Sequence, residues 1–182
     1  LWIGDATGHG APAALITGAA KSASSIIEAT PGLSSAQALE VLNHAIYSTA
    51  HGSILMTFFL GIIDLETGIL SYSNASHEFP YVVPKKSELK KKDLVPLCEI
   101  HSGRRLGEQQ TSTYEIGEHM LNPGDTIVFY TDGIIDLQNE DGEELGERLF
   151  VKGIIESSLN TPHVAGKVEK FKKYVENHRK KA

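Results

Sequence analysis

The chain opens on Leu1-Trp2-Ile3, an apolar strand-like run, and passes without a break into Gly4-Asp5-Ala6-Thr7-Gly8-His9-Gly10 before Ala11-Pro12-Ala13-Ala14 starts a helix. No other segment constrains the fold as strongly. Glycines let the backbone turn sharply and approach a ligand, and a carboxylate held among them at the end of a buried strand suits a hard metal ion. A second element of this kind lies far downstream, where Asp125-Thr126-Ile127-Val128-Phe129-Tyr130 leads into Thr131-Asp132-Gly133. Two strands are thus expected each to end in an Asp, converging on one site. For either Asp taken singly, the plainer reading is a turn former whose carboxylate caps local amides.

Between these elements the pattern changes type. Pro12 sits where a first-turn proline is tolerated, and Ala13, Ala14, Leu15, Ala19, Ala20 and Ala23 continue a small-residue helix to about Thr30, stopped by Pro31-Gly32. Ser34 with Gln37 forms a capping-box pattern, and Leu39, Leu42, Ala45 and Ile46 carry an apolar stripe through a second helix ending near His51. Residues 54–65 then form a long apolar, β-branched and aromatic run, Glu66-Thr67-Gly68 reads as a turn, and residues 69–74 return as the second strand of a hairpin. The near-continuous apolar character of the first strand predicts burial on both faces.

Residues 79–83 extend the β region, and the charged stretch 85–93 reads as a solvated hairpin tip, with a partner-docking flap as the alternative. A polar strand is expected over 111–121, a turn at Asn122-Pro123-Gly124-Asp125, a strand over 126–130, a helix over 145–158, and a last helix over 164–177 with Val168, Phe171 and Val175 on one side. The basic residues near its end (Lys172, Lys173, Arg179, Lys180 and Lys181) complement the helix dipole and need no ligand to explain them.

Composition bounds what such a chain does. With 182 residues and 41% hydrophobic content it can bury one ordinary core, so 1–182 reads as a single domain. A formal charge of -6 and a pI near 5.7 argue against a dedicated nucleic-acid binder. The one cysteine, Cys98, cannot make an internal disulfide and reads as a small buried apolar residue. No run approaches the roughly 20 apolar residues needed to cross a bilayer, so the expected location is cytoplasmic, without membrane contact by this domain. The start in mid-strand without Met predicts further sequence upstream.

Taken together, the motifs resemble the SpoIIE/RsbU-type branch of the metal-dependent (PPM, type 2C-like) serine/threonine protein phosphatases. The signature is Gly4-Asp5-x-Thr7-Gly8-His9-Gly10-Ala11-x-Ala13-Ala14. Further blocks agree in order. Met56 to Asp64, then Gly68 to His77, is similar to the family's central hairpin and its Asn-Ala-Gly-His element, with Ser76 in place of the usual Gly. Leu121-x-Pro123-Gly124-Asp125-Thr126 through Thr131-Asp132-Gly133 resembles its late metal strand, and Gly142-Glu143-Glu144-Leu145-Gly146 with Arg148-Leu149 the segment that follows.

The resemblance implies an α+β fold: an α-β-β-α sandwich of two antiparallel sheets flanked by helices. It implies two Mn²⁺ or Mg²⁺ ions, with Asp5 as the bridging ligand, the Ala6 carbonyl binding one ion, and Asp132 supplying another carboxylate. Asp5 and Asp132 are on that ground the catalytic candidates. Paired divalent ions can acidify a bridging water, aim it at phosphorus and neutralise phosphoryl charge, so no protein nucleophile is needed. His9 is expected to be architectural, His77 a turn or sheet-edge histidine bonding backbone, Arg104 and Arg105 surface residues, and Asp136 a loop cap or water ligand outside the metal set. Asp64, Asp93 and Asp141 are expected in turns.

Two further carboxylates that the family draws from flanking strands are absent from the sequence, so the domain is expected to lack an edge strand at each end. The leading function is therefore a phosphoserine/phosphothreonine protein phosphatase acting on a STAS-type anti-sigma factor antagonist, as the output module of a protein with an upstream sensory or receiver domain. The alternatives are a catalytically inactive phosphatase-like interaction module and a small-molecule phosphohydrolase on the same fold.

Overall fold

A computed structural model describes residues 1–180; Lys181, grouped above with the basic end of the last helix, and Ala182 lie outside the described residues. In chain order the elements are β1 (Trp2–Ala6), α1 (Ala11–Glu28), α2 (Ser35–Ala50), β2 (Met56–Ile63), β3 (Ile69–Ala75), β4 (Tyr81–Val83), a 3-10 turn at Lys91–Asp93, β5 (Val95–Pro96), β6 (Gly117–Met120), β7 (Thr126–Val128), α3 (Asp132–Ile135), α4 (Gly146–Ser158) and α5 (Val164–Arg179). They form two compact units, one of Leu1–Phe79 with Leu97–Leu121, the other of Pro80–Pro96 with the chain from Asn122 onward.

The first unit is a four-stranded antiparallel sheet in the order β1-β2-β3-β6, covered on one face by α1 and α2. The capping box that starts α2 is formed: the Gln37 amide donates to Ser34 Oγ at 3.2 Å and the Ser34 amide to Gln37 Oε1 at 3.0 Å. The helix ends on His51 in the left-handed region, φ 47°. Leu39, Leu42 and Ile46 of α2 are fully buried with Met56, Phe58 and Leu60 of β2. On the opposite face of β2, Phe59 stacks on Tyr72 of β3 with ring centroids 5.5 Å apart. The strand is thus buried on both sides, as its composition predicts. At the hairpin turn, Asp64 Oδ1 accepts from the amides of Glu66 and Thr67 at 2.8 and 3.1 Å.

Several expectations change. β1 is not a buried strand: among the described residues it pairs with β2 alone, and Trp2 and Asp5 are exposed. Only Gly117–Met120 of the expected strand over 111–121 is regular. Ahead of it, Tyr114 is drawn into the helix-side core, and Glu115 turns its carboxylate to the His101 amide at 3.0 Å rather than joining a ladder. Cys98 is exposed, not buried.

The second unit is a three-stranded antiparallel sheet in the order β5-β4-β7 with α4 and α5 packed together. Val83, Leu145, Phe150, Val151 and Ile154 centre its core, which an aromatic run extends, Tyr130 lying 4.5 Å from Phe150 and Phe150 5.7 Å from Phe171. Phe171 and Val175 of α5 pack into it, but Val168 does not and is 46% exposed. The close approach of α4 at Gly153 receives Phe171 and Tyr174, and Val168 lies one turn short of it. The stretch 85–93 is largely solvated but pinned: Leu89 is buried, and Asp93 accepts from Lys86 Nζ at 2.7 Å and the Lys90 amide at 2.8 Å. These donors, the Lys86 ammonium first, hold the Asp93 carboxyl below its usual range.

Candidate functional site

Asp5 stands on β1 opposite Thr57 of β2. Backbone bonds at both ends of the pairing fix its phase. The Leu1 amino group donates to the Gly61 carbonyl and the Gly61 amide to the Leu1 carbonyl, both at 2.9 Å, and the Thr7 amide donates to the Leu55 carbonyl at 2.8 Å. In an antiparallel ladder such residues alternate with ones whose backbone groups point away. Ala6 is one of the latter: its partner Met56 turns its own amide and carbonyl to Leu106, at 3.0 and 2.8 Å. The Ala6 carbonyl therefore points away from β2.

The Asp5 carboxylate is solvent-exposed and, among the described residues, makes no hydrogen bond or ion pair. The local-cap reading of this residue fails for a simple reason. The Thr7 amide, two residues on, is donated to the Leu55 carbonyl instead, and among the described residues no amide is bonded to the carboxylate. Asp132 lies four residues past the end of β7, as the first residue of α3, with Thr131 as an extended N-cap. Its carbonyl accepts from the Asp136 amide at 2.9 Å, while its exposed carboxylate likewise has no partner among the described residues. By contrast, Asp64, Asp93 and Asp125 are all committed to backbone amides, Asp125 to those of Lys85 and Asn122 at 3.2 and 2.9 Å.

These donors fit a hard divalent ion in kind, since all are oxygens and two are carboxylates. They do not amount to a full ligand set. Among the described residues no three His, Cys, Asp or Glu side chains gather to hold a metal. Asp5 and Ala6 belong to the first unit and Asp132 to the second.

The remaining candidates sort by their contacts. His9 is exposed in the strand-to-helix turn, between Gly8 and Gly10, which take φ of 86° and 78°. Arg104 and Arg105 are surface residues paired with Glu108 at 3.1 and 3.6 Å. Asp136 caps the end of α3 through its amide, and Asp141 lies in a turn where its amide meets Asn139 Oδ1 at 3.1 Å. His77 is buried, only 5% exposed, and its Nδ1 lies 2.8 Å from Thr57 Oγ1. Thr57 is the residue that sequence reasoning passed over. Its signal was there, as the only hydroxyl in the apolar run 54–63.

Comparison with known proteins identifies the fold. The SiaA-PP2C domain of Pseudomonas aeruginosa superposes on 98% of the chain with a TM-score of 0.78 at 24% identity, the chain covering 67% of it. The catalytic domain of the serine/threonine protein phosphatase PstP, solved in complex with two manganese ions, matches 97% of the chain and is itself covered to 80%, with a TM-score of 0.66 at 12% identity. The architecture is thus that of a PP2C domain, two antiparallel sheets with helices. The family model for Stage II sporulation protein E (SpoIIE) matches residues 1–180, across both units, and the chain belongs to that family. Among curated relatives, phosphoserine phosphatase RsbU of Bacillus subtilis (strain 168) is 28% identical over 144 residues, 77% of this chain and 40% of RsbU. The chain spans less than half the length of the curated relatives it matches.

Proposed function

We propose that this chain is the phosphatase module of a larger SpoIIE-family protein and removes phosphate from phosphoserine or phosphothreonine of a protein substrate. The observation that carries the reading is the family match over residues 1–180 together with an exposed Asp5 carboxylate left uncommitted among the described residues. RsbU, by its name a phosphoserine phosphatase, supports the substrate class. The manganese pair in the PstP structure supports Mn²⁺ or Mg²⁺ as the cofactor. Asp5 and Asp132 are the proposed carboxylate ligands and Ala6 contributes its carbonyl. A STAS-type anti-sigma factor antagonist as substrate, an upstream sensory or receiver domain and a cytoplasmic location complete the proposal. No described helix is long and apolar enough to cross a membrane.

A bound metal pair would supply a water ionised near neutral pH and charge compensation for the phosphoryl group. The chain's own residues do the presenting. Asp5 offers its carboxylate from a backbone fixed by ladder bonds to β2, so little order remains to be imposed when an ion arrives. The Ala6 carbonyl, directed away from β2, has no bond to that strand to give up. Asp132 offers a carboxylate from the start of α3, and the glycines at 8 and 10 keep the turn after Asp5 free of side chains that would crowd a phosphoprotein.

The test uses the full-length protein with Mn²⁺. Asp5→Asn and Asp132→Asn should each lower hydrolysis of p-nitrophenyl phosphate and of a phosphoserine protein by about a hundredfold or more, since each removes a charged ligand. Wild-type protein that binds its phosphoprotein without turnover would establish the interaction-module alternative, and a preference for nucleotides or sugar phosphates the small-molecule one.

A further inference from the structure

The contact between Thr57 and His77 lies directly beside the proposed metal-facing strand and has no part in the function so far assigned. β2 turns Met56, Phe58 and Leu60 toward the helices, so Thr57 and Phe59 point to the other face. Asp5 is the direct cross-strand partner of Thr57. Side chains so paired stand on one face about 5 Å apart. The Asp5 carboxylate and the Thr57 hydroxyl are therefore neighbours on the face away from α1 and α2. Thr57 Oγ1 also reaches the Asp5 carbonyl at 3.4 Å.

His77 is anchored more firmly than a turn histidine needs to be. The Asn74 side chain grips its backbone from both sides, Oδ1 accepting from the His77 amide at 2.7 Å and Nδ2 donating to the His77 carbonyl at 2.8 Å. Between them Ser76 adopts φ 58°, a left-handed geometry unusual for a residue with a side chain, and is tied down in turn. Its amide donates to Ser102 Oγ at 3.0 Å and its hydroxyl to the Gly103 carbonyl at 2.7 Å. The imidazole thus presents Nδ1 to Thr57 from a fixed position, and Thr57 is held where it faces Asp5. β1 pairs with β2 along its whole length, so the β2 residues opposite it bear directly on where Asp5 stands.

We propose that His77 is a positioning residue for the divalent cation: acting through the Thr57 hydroxyl, it fixes the wall against which the Asp5 carboxylate is presented to the metal. The proposal rests on the reading of Asp5 as a ligand. The groups that orient metal ligands typically contribute 10–100-fold in affinity, because a ligand free to rotate must be ordered by the ion. Losing the Thr57–His77 bond should therefore weaken metal binding more than it weakens the fold.

The test is Mn²⁺ binding to the full-length protein, read from the electron paramagnetic resonance signal of free Mn²⁺, alongside the melting temperature without metal. Thr57→Val keeps the shape and removes the hydroxyl. It should raise the Mn²⁺ dissociation constant by about tenfold, His77→Gln should do the same, and Thr57→Ser should restore wild-type affinity. Unchanged affinity in Thr57→Val, or a loss that Thr57→Ser does not restore, overturns the proposal. Should His77→Gln fail to fold, the two Thr57 variants decide alone. Asp5→Asn run in parallel separates the two claims: if it binds Mn²⁺ like wild type, the assignment of Asp5 as a ligand has failed, whatever Thr57 does.

Discussion

Replacing Gly4 by Ala tests whether β1 is held as tightly as the argument about Asp5 requires. Gly4 lies opposite Phe58 in the β1–β2 pairing, and its φ is not in the left-handed region, so alanine suits its backbone. The obstacle is space. A Cβ added there would come within 2.9 Å of one Phe58 ring carbon, closer still to another, and within 2.8 Å of Met56 Cε. Met56 can swing its methyl aside, but Phe58 is fully buried and stacked on Trp2 at 5.5 Å, so its ring has nowhere to turn. Overpacking of this kind costs about 1–3 kcal/mol. For a chain of this length that corresponds to a fall of about 4–8 °C in melting temperature for a cost near 2 kcal/mol. Urea denaturation of wild type, Gly4→Ala, Phe58→Leu and the double variant measures it. The smaller leucine should relieve the clash, so the double variant should be more stable than the sum of the single effects by about 1 kcal/mol or more. A Gly4→Ala protein within about 0.5 kcal/mol of wild type, or strictly additive effects, would show that β1 floats over Phe58 and that Asp5 is not rigidly placed.

Two further outcomes follow from buried polar groups. Asn43, 1% exposed, accepts from the Gly107 amide at 2.9 Å and donates to the Gln109 carbonyl at 3.0 Å, so Asn43→Ala should cost about 2–4 kcal/mol in chemical denaturation by leaving both unsatisfied. Burial pushes the Tyr114 hydroxyl up to about 12 from 10, and it sits sealed beside Ser112 without a hydrogen bond of acceptable geometry. Between those values the unfolded chain releases a proton that the folded one keeps, so stability should fall as pH rises from about 10 to about 12, and Tyr114→Phe should flatten that fall in a pH series of melting curves.

The helices and the central hairpin were legible because their signals are local. The Ser34–Gln37 box, the spacing of Leu39, Leu42 and Ile46, and the Asp64 turn each need only residues within a few positions of one another. What stayed hidden depends on what packs from afar. Gly4 looks like a turn glycine beside Asp5, yet it is needed for the close approach of Phe58, 54 positions on. Cys98 and Val168 have apolar side chains but no neighbour to cover them, which no pattern within their own segments reveals. The stretch 111–116 has strand-like composition, but Tyr114 is taken by the helix-side core and Glu115 by His101, leaving the ladder only from Gly117.

The site shows the same division more sharply. An Asp near Gly is a weak motif because the same residues make an ordinary turn cap, and Asp64, three residues before Thr67-Gly68, is such a cap. Its two amide bonds, Thr67's first, hold its carboxyl below the usual range. What separates Asp5 is the fate of the amides that follow it. After Asp64 the chain reverses, so the N–H groups two and three residues on face back toward the carboxylate. After Asp5 the strand runs on, and the amide two residues on, that of Thr7, is donated across to Leu55. The Asp5 carboxylate is thus exposed and, among the described residues, makes no hydrogen bond or ion pair, which leaves it available to a ligand. The same reasoning gives Thr57 its place, since the residue opposite Asp5 is the one through which its surroundings can be adjusted without touching the ligand itself. A strand pairing, invisible to any short motif, thus turns two ordinary residues, Asp5 and Thr57, into one candidate site, with His77 behind them.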